Sequence, residues 1–230
     1  MIHNRFSIGS TAIGIAMLTC FTSAQAVTLS NAFTVEPFLD TALPGTTSAA
    51  RPELAGVVLE DNVQAFSFHD TTGTVQSRVV REDGTGTLDF YWRINVDENS
   101  RNGIEAFRLG NFGYSHLTDA DWRIDGLGSV APHTARLFNP ASHPDGSINF
   151  LFNDPAIGTG SGSYFFFLHT DATLYSNTAQ YDLLCAPSDC ISSSYSTFAP
   201  AIPEPETYAM LLTGLGLLGF MARRRKETAV

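Results

Sequence analysis

The sequence predicts an all-β protein whose main domain is an antiparallel β-sandwich or a jelly-roll-like fold. Short segments rich in aromatic and β-branched residues recur along the middle of the chain. Clusters of Gly, Asn, Asp, Ser and Pro separate these segments, as is typical of turns between strands. No part of this region keeps a helical period of apolar residues over several turns, so strands are expected to build its core.

The predicted strands include a hairpin and a central strand. Residues 63–68 alternate between apolar and polar side chains, and residues 74–81 continue the pattern after a predicted turn at 71–73. Residues 163–170 are apolar on both faces, which is typical of a strand inside a sheet. In chain order the predicted strands are 32–38, 63–68, 74–81, 87–96, 103–112, 147–152, 163–170 and 173–184.

Three segments outside the strands have their own interpretation. Residues 119–123 are where we expect a short helix to begin. The Gly- and Ser-rich run 158–163 is predicted as a flexible loop, because it lacks the following lysine and helix of a phosphate-binding loop. Residues 191–202 are rich in Ser and Pro and are predicted to form a linker. The β-sandwich domain is therefore assigned to residues 27–190.

The domain carries no recognised catalytic motif. Its histidines form no His-Glu-x-x-His pair, and the Gly-x-Ser-x-Gly nucleophile elbow is absent. Neighbouring carboxylates occur, but acids in loops are usually solvated. We therefore predict no catalytic residues, no cofactor and a protein that is not an enzyme.

One acidic segment is a weak calcium-site candidate. Asp119, Asp121 and Asp125 place three carboxylates close together in sequence, and Ca²⁺ favours six to eight oxygen ligands from such loops. Their spacing departs from the EF-hand pattern. The simpler interpretation, which we favour, is a loop followed by a strand with Trp122 and Ile124 pointing inward.

Four aromatic residues support carbohydrate binding as an alternative function. Exposed together on a β-sandwich, Tyr91, Trp92, Tyr114 and Trp122 would offer rings for sugars. Large rings on strands are more often in the core, because they dominate the free energy of burial. The exposure of the two tryptophans distinguishes these two possibilities.

The charge of the chain disfavours one class of partner. The formal net charge is −10, and Lys226 is the only lysine. A protein that binds nucleic acid needs a positively charged surface, so nucleic acid is not an expected partner. An acidic surface favours solubility outside the cell and also attracts divalent cations.

The N-terminal residues predict export. The apolar run 13–21 follows a single arginine, and Ala24 and Ala26 form the small-x-small pattern of a signal-peptidase site. We expect residues 1–26 to be a signal peptide that is removed before Val27. Signal peptidase is then a processing partner.

Removal of that segment leaves two cysteines, Cys185 and Cys190. An even number of cysteines in an exported chain predicts a local disulfide. The spacing is not that of a Cys-x-x-Cys redox motif, and no second ligand pair for a metal lies nearby, so these roles are disfavoured.

Residues 203–226 have the physical features of a membrane-sorting tail. The uncharged run 208–222 would cover roughly 22 Å as a helix, which is short for a ~30 Å hydrocarbon core. We expect it to form a transmembrane helix through snorkelling of its flanking cations or local thinning of the bilayer. The basic stop that follows consists of Arg223, Arg224, Arg225 and Lys226. By the positive-inside rule this stop is expected to stay in the cytoplasm.

With Pro203, Glu204 and Pro205 at its start, this tail resembles the PEP-CTERM sorting domain of Gram-negative bacteria. The resemblance implies recognition by an exosortase, an integral-membrane cysteine protease that acts near the Pro-Glu-Pro motif. It implies transient anchoring in the inner membrane with a cytoplasmic C-terminus, followed by transfer to the cell surface or the extracellular medium. The family occurs mainly in bacteria that make exopolysaccharide or biofilm.

The combined expectation is a non-enzymatic protein of the cell surface or extracellular matrix, with exopolysaccharide as a partner. Two alternatives remain at this point. One is an extracellular carbohydrate-binding module, and the other is a single-pass periplasmic protein whose anchor is never cleaved.

Overall fold

The computed structural model describes residues 27–29, 38–113, 115–139, 141, 143, 146–186, 190–201 and 211–218. Its body consists of two antiparallel sheets that pack face to face, which confirms the all-β class. The strands are β1 (Phe38–Ala42), β2 (Gly56–Phe68), β3 (Thr71–Glu82), β4 (Leu88–Val96), β5 (Gly103–Gly110), β6 (Leu117–Trp122), β7 (Thr134–Phe138), β8 (Ile148–Leu151), β9 (Phe166–Thr170), β10 (Tyr175–Ala186) and β11 (Tyr195–Pro200). A short 3₁₀ helix spans Pro52–Leu54.

The six-stranded sheet has the order β1-β7-β8-β5-β10-β11, and the five-stranded sheet has the order β2-β3-β4-β9-β6. Apolar side chains that alternate along the strands meet between the sheets. The largest fully buried ones include Trp92, Phe90, Phe107, Phe150, Phe166 and Tyr181. Burial of rings of this size is the main favourable contribution to folding of the sandwich.

The β2–β3 hairpin turns earlier than predicted. Its two turn residues are His69 and Asp70, with φ angles of 44° and 59°, and the strands pair from Phe68 with Thr71 onward. Positive φ at both positions is what a two-residue hairpin requires, and His and Asp tolerate it better than most residues. The predicted turn at 71–73 is therefore wrong, because Gly73 lies inside β3. Glycine fits there because an added Cβ would lie 2.1 Å from the Asn95 carbonyl oxygen and 2.6 Å from the Phe66 ring.

The other predicted strands have mixed outcomes. Six of the predicted ranges correspond to β3, β4, β5, β8, β9 and β10, while β2 starts earlier than expected. The predicted strand 32–38 lies almost entirely outside the described residues. The prediction that a helix begins at 119–123 is wrong, because most of this segment belongs to β6, and β7 was not predicted.

The predicted linker 191–202 is also corrected, because it contains β11. This strand pairs with β10 at the edge of the six-stranded sheet, and its Thr197 and Ala199 are buried. A chain of hydrogen bonds connects it to the other sheet. The Trp92 indole donates to the Thr197 hydroxyl at 2.8 Å, and that hydroxyl donates to Ser77 Oγ at 3.2 Å. The segment before the tail is therefore part of the folded body.

Substitution of Thr197 by valine is expected to lower the free energy of unfolding by about 1–3 kcal/mol, since it leaves the buried Trp92 N–H without an acceptor. The measurement is denaturant unfolding followed by tryptophan fluorescence. Thr178→Val is the control, because the Thr178 hydroxyl hydrogen-bonds with Ser176 at an exposed position. Equal losses in the two variants would show that the buried hydrogen bonds do not hold β11 in place.

The predicted disulfide is confirmed. Cys185 and Cys190 are joined, with their Cα atoms 5.4 Å apart. The Cys185 amide also donates to the Cys190 carbonyl at 2.9 Å. The bond closes the short connection between β10 and β11, and it is compatible with an oxidising compartment.

Candidate functional site

The outer face of the five-stranded sheet is covered by residues 43–55. Thr46 in this segment exchanges backbone hydrogen bonds with the end of β6, donating to the Trp122 carbonyl at 2.9 Å and accepting from Ile124 at 2.8 Å. A second, smaller apolar cluster lies beneath the segment. Its members are Leu54, Val80, Tyr91, Phe165 and Phe167. This face is therefore partly buried, unlike the outer face of a sheet that meets water directly.

Arg51 anchors the covering segment through charge. Its guanidinium donates to both carboxylate oxygens of Asp119, at 3.0 and 3.3 Å, and to Glu53 at 2.8 Å. It also lies over the Phe167 ring, 5.8 Å from the centroid. Arg51 is only 7% exposed. β6 tolerates the acid Asp119 on this covered face because Arg51, a cation from another segment, compensates its charge.

Beside this ion pair, three strands bring Glu82, Asp89 and His169 together. Their ligand atoms all lie within 4.8 Å of one another. His169 Nδ1 is 2.7 Å from Asp89 Oδ1 and 3.2 Å from Glu82 Oε1. Both carboxylate side chains are fully buried, whereas the histidine side chain is 16% exposed. We refer to these residues as the acid–histidine group.

The electrostatics of the acid–histidine group follow from burial. Removal from water raises the pKa of Asp89 to about 6, although the hydrogen bond with His169 opposes the rise. Burial alone would lower the pKa of His169, but its hydrogen bond and the charge of Asp89 outweigh that effect and raise it. Glu82 Oε1 and Asp89 Oδ2 are buried without a hydrogen-bond partner.

The three carboxylates of the calcium candidate do not converge. Asp119 binds Arg51, Asp121 accepts the Gly45 amide at 2.8 Å, and Asp125 accepts the amide and hydroxyl of Ser48 at 2.7 and 2.6 Å. Within the described part of the chain, the acid–histidine group is the one set of three that could share an ion. The expected inward side chains are also revised, since Trp122 is half-buried and Ile124 is 45% exposed.

The ionisation of Asp121 makes the stability of the protein depend on pH in a testable way. Burial raises its pKa to about 6, with hydrogen bonds from backbone amides and the charge of Arg51 opposing the rise and Asp119 adding to it. A carboxyl group with a raised folded-state pKa contributes stability that is fully present below its unfolded pKa of about 3.9. That contribution is lost as the pH rises through about 6.

Asp121→Asn removes this ionisation and keeps an oxygen acceptor for Gly45. We expect the free energy of unfolding of the variant, relative to that of the unmodified protein, to be about 2 kcal/mol higher at pH 7.5 than at pH 4. Unfolding in denaturant at the two pH values measures it. Asp125→Asn should show the opposite trend, because hydrogen bonds from Arg123 and Ser48 overcome burial and lower the pKa of Asp125. A pH-independent difference for Asp121→Asn would contradict the assignment.

The aromatic residues proposed for sugar binding are mostly internal. Tyr91 and Trp92 are 4% and 1% exposed, so neither forms a sugar-binding surface. Trp122 is half-buried and packs against Tyr164, with ring centroids 5.0 Å apart. Tyr114 lies outside the described residues.

A groove does exist on the same outer face. Its volume is about 660 Å³, and its walls include Val58, Arg78, Arg123, Leu127 and Phe165. The Arg78 guanidinium lies 4.9 Å above the Phe165 ring, and Leu127 is 68% exposed. The groove therefore combines apolar surface with two arginines, which are paired with Asp61 and Asp125. The sequence did not indicate it, because its walls come from distant segments.

The sorting tail leaves the body directly after β11. The Ala201 amide still donates to the Leu174 carbonyl at 2.9 Å. Residues 211–218 are helical, and their leucines are exposed. Among the described residues we find no helix with the length and apolar character needed to cross a membrane. The Pro-Glu-Pro residues, the basic stop 223–226 and the signal-cleavage alanines Ala24 and Ala26 lie outside the described residues.

Fold and tail together define a class: a β-sandwich body whose last strand is followed in sequence by a candidate sorting signal. A family model described as the PEP-CTERM protein-sorting motif matches residues 201–226. The chain thus carries a PEP-CTERM sorting motif, as its resemblance indicated, and this motif implies an exported protein that an exosortase sorts. Comparisons with curated proteins and with solved structures found no match.

Proposed function

We propose that this protein is a non-enzymatic component of the cell surface or extracellular matrix, associated with exopolysaccharide or biofilm. The observation that carries the proposal is the PEP-CTERM motif at residues 201–226, which follows the last strand of the folded body without a gap. In this proposal signal peptidase removes residues 1–26, and an exosortase then acts on the anchored protein near Pro203, Glu204 and Pro205.

The disulfide and the acidic composition of the chain suit a protein that is located outside the cell. The body has a disulfide between Cys185 and Cys190, and the whole chain has a net charge of −10 with a single lysine. Such a surface favours solubility and limits nonspecific contact with anionic polymers. The short connection also bears on processing. Ala201 is hydrogen-bonded to the sheet, so the exosortase must act close to the edge formed by β11.

Intact-mass analysis of the protein from its native host tests the sorting. We expect a surface or extracellular species that begins at Val27 and ends near residues 203–205. Replacement of all three motif residues by alanine should leave a membrane-bound species that still ends at Val230. Glu206→Gln, next to the motif, is the matched control and should be processed normally. A membrane-bound form ending at Val230 as the sole species of the unmodified protein would favour the uncleaved single-pass anchor.

The groove supports carbohydrate binding as a second candidate function. Arg78 and Arg123 line it together with the Phe165 ring, and arginine fits the carboxylates of an acidic polysaccharide, which would compete with Asp61 and Asp125 for these two side chains. We expect Arg78→Ala to weaken co-sedimentation with the exopolysaccharide of the host by several-fold. Arg101→Ala is the control, because Arg101 is an exposed arginine paired with Asp70 away from the groove walls. Equal binding by both variants and the unmodified protein would exclude the groove as the binding site.

A further inference from the structure

We propose that Glu82, Asp89 and His169 bind a divalent transition-metal ion that joins three neighbouring strands of the five-stranded sheet. Each residue comes from a different strand: β3 for Glu82, β4 for Asp89 and β9 for His169. The site is separate from the sorting tail and from the walls of the groove. It includes none of the three carboxylates that the sequence offered for calcium, although Asp119 lies opposite His169 in the pairing of β6 with β9.

The spacing of the donor atoms suits a small cation. His169 Nδ1 lies 2.7 Å from Asp89 Oδ1 and 3.2 Å from Glu82 Oε1. Ligands around a tetrahedral Zn²⁺ lie roughly 3.3 Å apart, given metal–ligand bonds of about 2.0–2.2 Å. With all three donor atoms within 4.8 Å of one another, side-chain adjustments of up to about 1 Å would place them at bonding distance from one ion.

The hydrogen bonds within the group leave acceptors unused. When His169 is protonated, or neutral with its proton on Nδ1, it has one proton there, and two carboxylates compete for it. Glu82 Oε1 and Asp89 Oδ2 have no hydrogen-bond partner although both side chains are fully buried. Buried carboxylate oxygens without partners are costly. A divalent cation between the donor atoms would compensate both negative charges.

Nearby cations do not perform this task. Arg51 is a nearby cation, but its hydrogen bonds go to Asp119 and Glu53, and it acts on Asp89 only through its charge at longer range. The charge of Asp119 is matched by Arg51, whereas among the described residues His169 is the one titratable cation that contacts Glu82 and Asp89 directly. The covering segment therefore neutralises one acid on this face and leaves the other two for the histidine.

Neighbouring hydroxyls orient the Glu82 carboxylate. Thr85 and Thr87, in the turn between β3 and β4, both donate to Glu82 Oε2. Their hydrogen bonds hold this oxygen and leave Oε1 pointing to His169. Such outer contacts around a ligand are typical of metal sites, where they fix the orientation of the group that binds the ion.

The donor set favours zinc or manganese over calcium. Imidazole nitrogen binds Zn²⁺ well, and mixed nitrogen and carboxylate sites also hold Mn²⁺. Ca²⁺ prefers six to eight oxygen ligands, which two buried carboxylates do not supply. The partial exposure of the His169 side chain provides an entry path and room for a water ligand.

The experiment uses the full-length chain, purified in mild detergent without a histidine tag and stripped with a chelator. Titration with ZnCl₂, MnCl₂ and CaCl₂ is followed by calorimetry, metal analysis after dialysis and thermal unfolding. We expect one equivalent of Zn²⁺ or Mn²⁺ to bind, with little response to Ca²⁺. At a free metal concentration 100 times the Kd, the Tm should rise by about 5–10 °C.

Two sets of variants locate the ion. Asp89→Asn keeps the shape of the side chain, and we expect it to abolish the rise in Tm while the metal-free protein stays folded. Thr85→Val combined with Thr87→Val should weaken binding by about 10–100-fold. His116→Ala is the matched control, because it removes an exposed histidine paired with Asp171 at 2.6 Å and should leave the affinity unchanged.

The proposal is overturned if no metal binds below millimolar concentration, in which case the group holds a shared proton only. It is also overturned if His116→Ala abolishes binding or if Asp89→Asn binds as tightly as the unmodified protein. Should Asp89→Asn fail to fold, Glu82→Gln gives the same test from a different strand. Loss of the metal site would leave the sorting proposal unaffected, since processing is measured separately by mass.

Discussion

Replacement of Arg51 by methionine is expected to lower the free energy of unfolding by about 3–5 kcal/mol, because it leaves a buried carboxylate without its partner. Asp119 is 9% exposed and receives two hydrogen bonds from this guanidinium. Methionine keeps much of the apolar stem over Phe167, so the loss reports mainly on charge. Chemical denaturation at neutral pH, monitored by tryptophan fluorescence, measures the effect.

The design includes a matched surface pair and a double variant. Arg101→Met breaks an exposed ion pair, in which the arginine and aspartate side chains are 80% and 67% exposed, and should change stability by less than about 0.5 kcal/mol. Arg51→Met combined with Asp119→Leu should recover most of the loss, since both buried charges are then absent. A cost for Arg51→Met as small as that for Arg101→Met would show that Asp119 is not effectively buried.

The strands that were predicted correctly are those whose own residues are enough to indicate a strand. In β4 and β9, apolar and aromatic residues are dense enough to identify a strand without knowledge of its partners. β6 was missed because Asp119 and Asp121 resemble the start of a helix or a loop. Their negative charges are matched by Arg51 and the Gly45 amide, which are distant in sequence.

β11 was missed for a related reason. Its inward residues Thr197 and Ala199 are small, and the neighbouring serines and Pro200 are typical of a linker. An edge strand tolerates such a proline because one side of it needs no partner. Its pairing with β10 and the contact of Thr197 with Trp92 and Ser77 show that the segment belongs to the folded body.

The sorting motif and the acid–histidine group also differ in whether the sequence alone can identify them. The sorting motif is contiguous, so the residues from Pro203 to the basic stop could be identified from sequence alone. The acid–histidine group combines positions 82, 89 and 169, and no spacing rule connects them. Pairing of β3 with β4 and of β4 with β9 brings them together, so the fold had to be known first.

Truncation of Phe166 to alanine is expected to produce the other large loss, about 3–5 kcal/mol in the free energy of unfolding. The ring is fully buried and lies at the centre of the contact between the sheets. Its centroid is 6.2 Å from that of Trp92 in the five-stranded sheet. The Phe166 centroid also lies 4.7 Å from that of Phe150 and 5.2 Å from that of Phe107, which both belong to the six-stranded sheet. Alanine would therefore leave a cavity lined by rings from both layers.

Two comparisons make the Phe166 measurement specific. Phe166→Leu fills much of the same volume and should cost clearly less than alanine, because the remaining cavity is smaller. Leu174→Ala should cost less than about 0.5 kcal/mol, since Leu174 is 55% exposed. Unfolding is followed by tryptophan fluorescence, to which both Trp92 and Trp122 contribute, and the Trp92 indole lies against the truncated ring. If Phe166→Ala were as stable as Leu174→Ala, the two sheets would not depend on this ring for their packing. The core would then have to be held mainly by other contacts, such as that between Phe107 and Tyr181, whose centroids lie 4.9 Å apart within the six-stranded sheet.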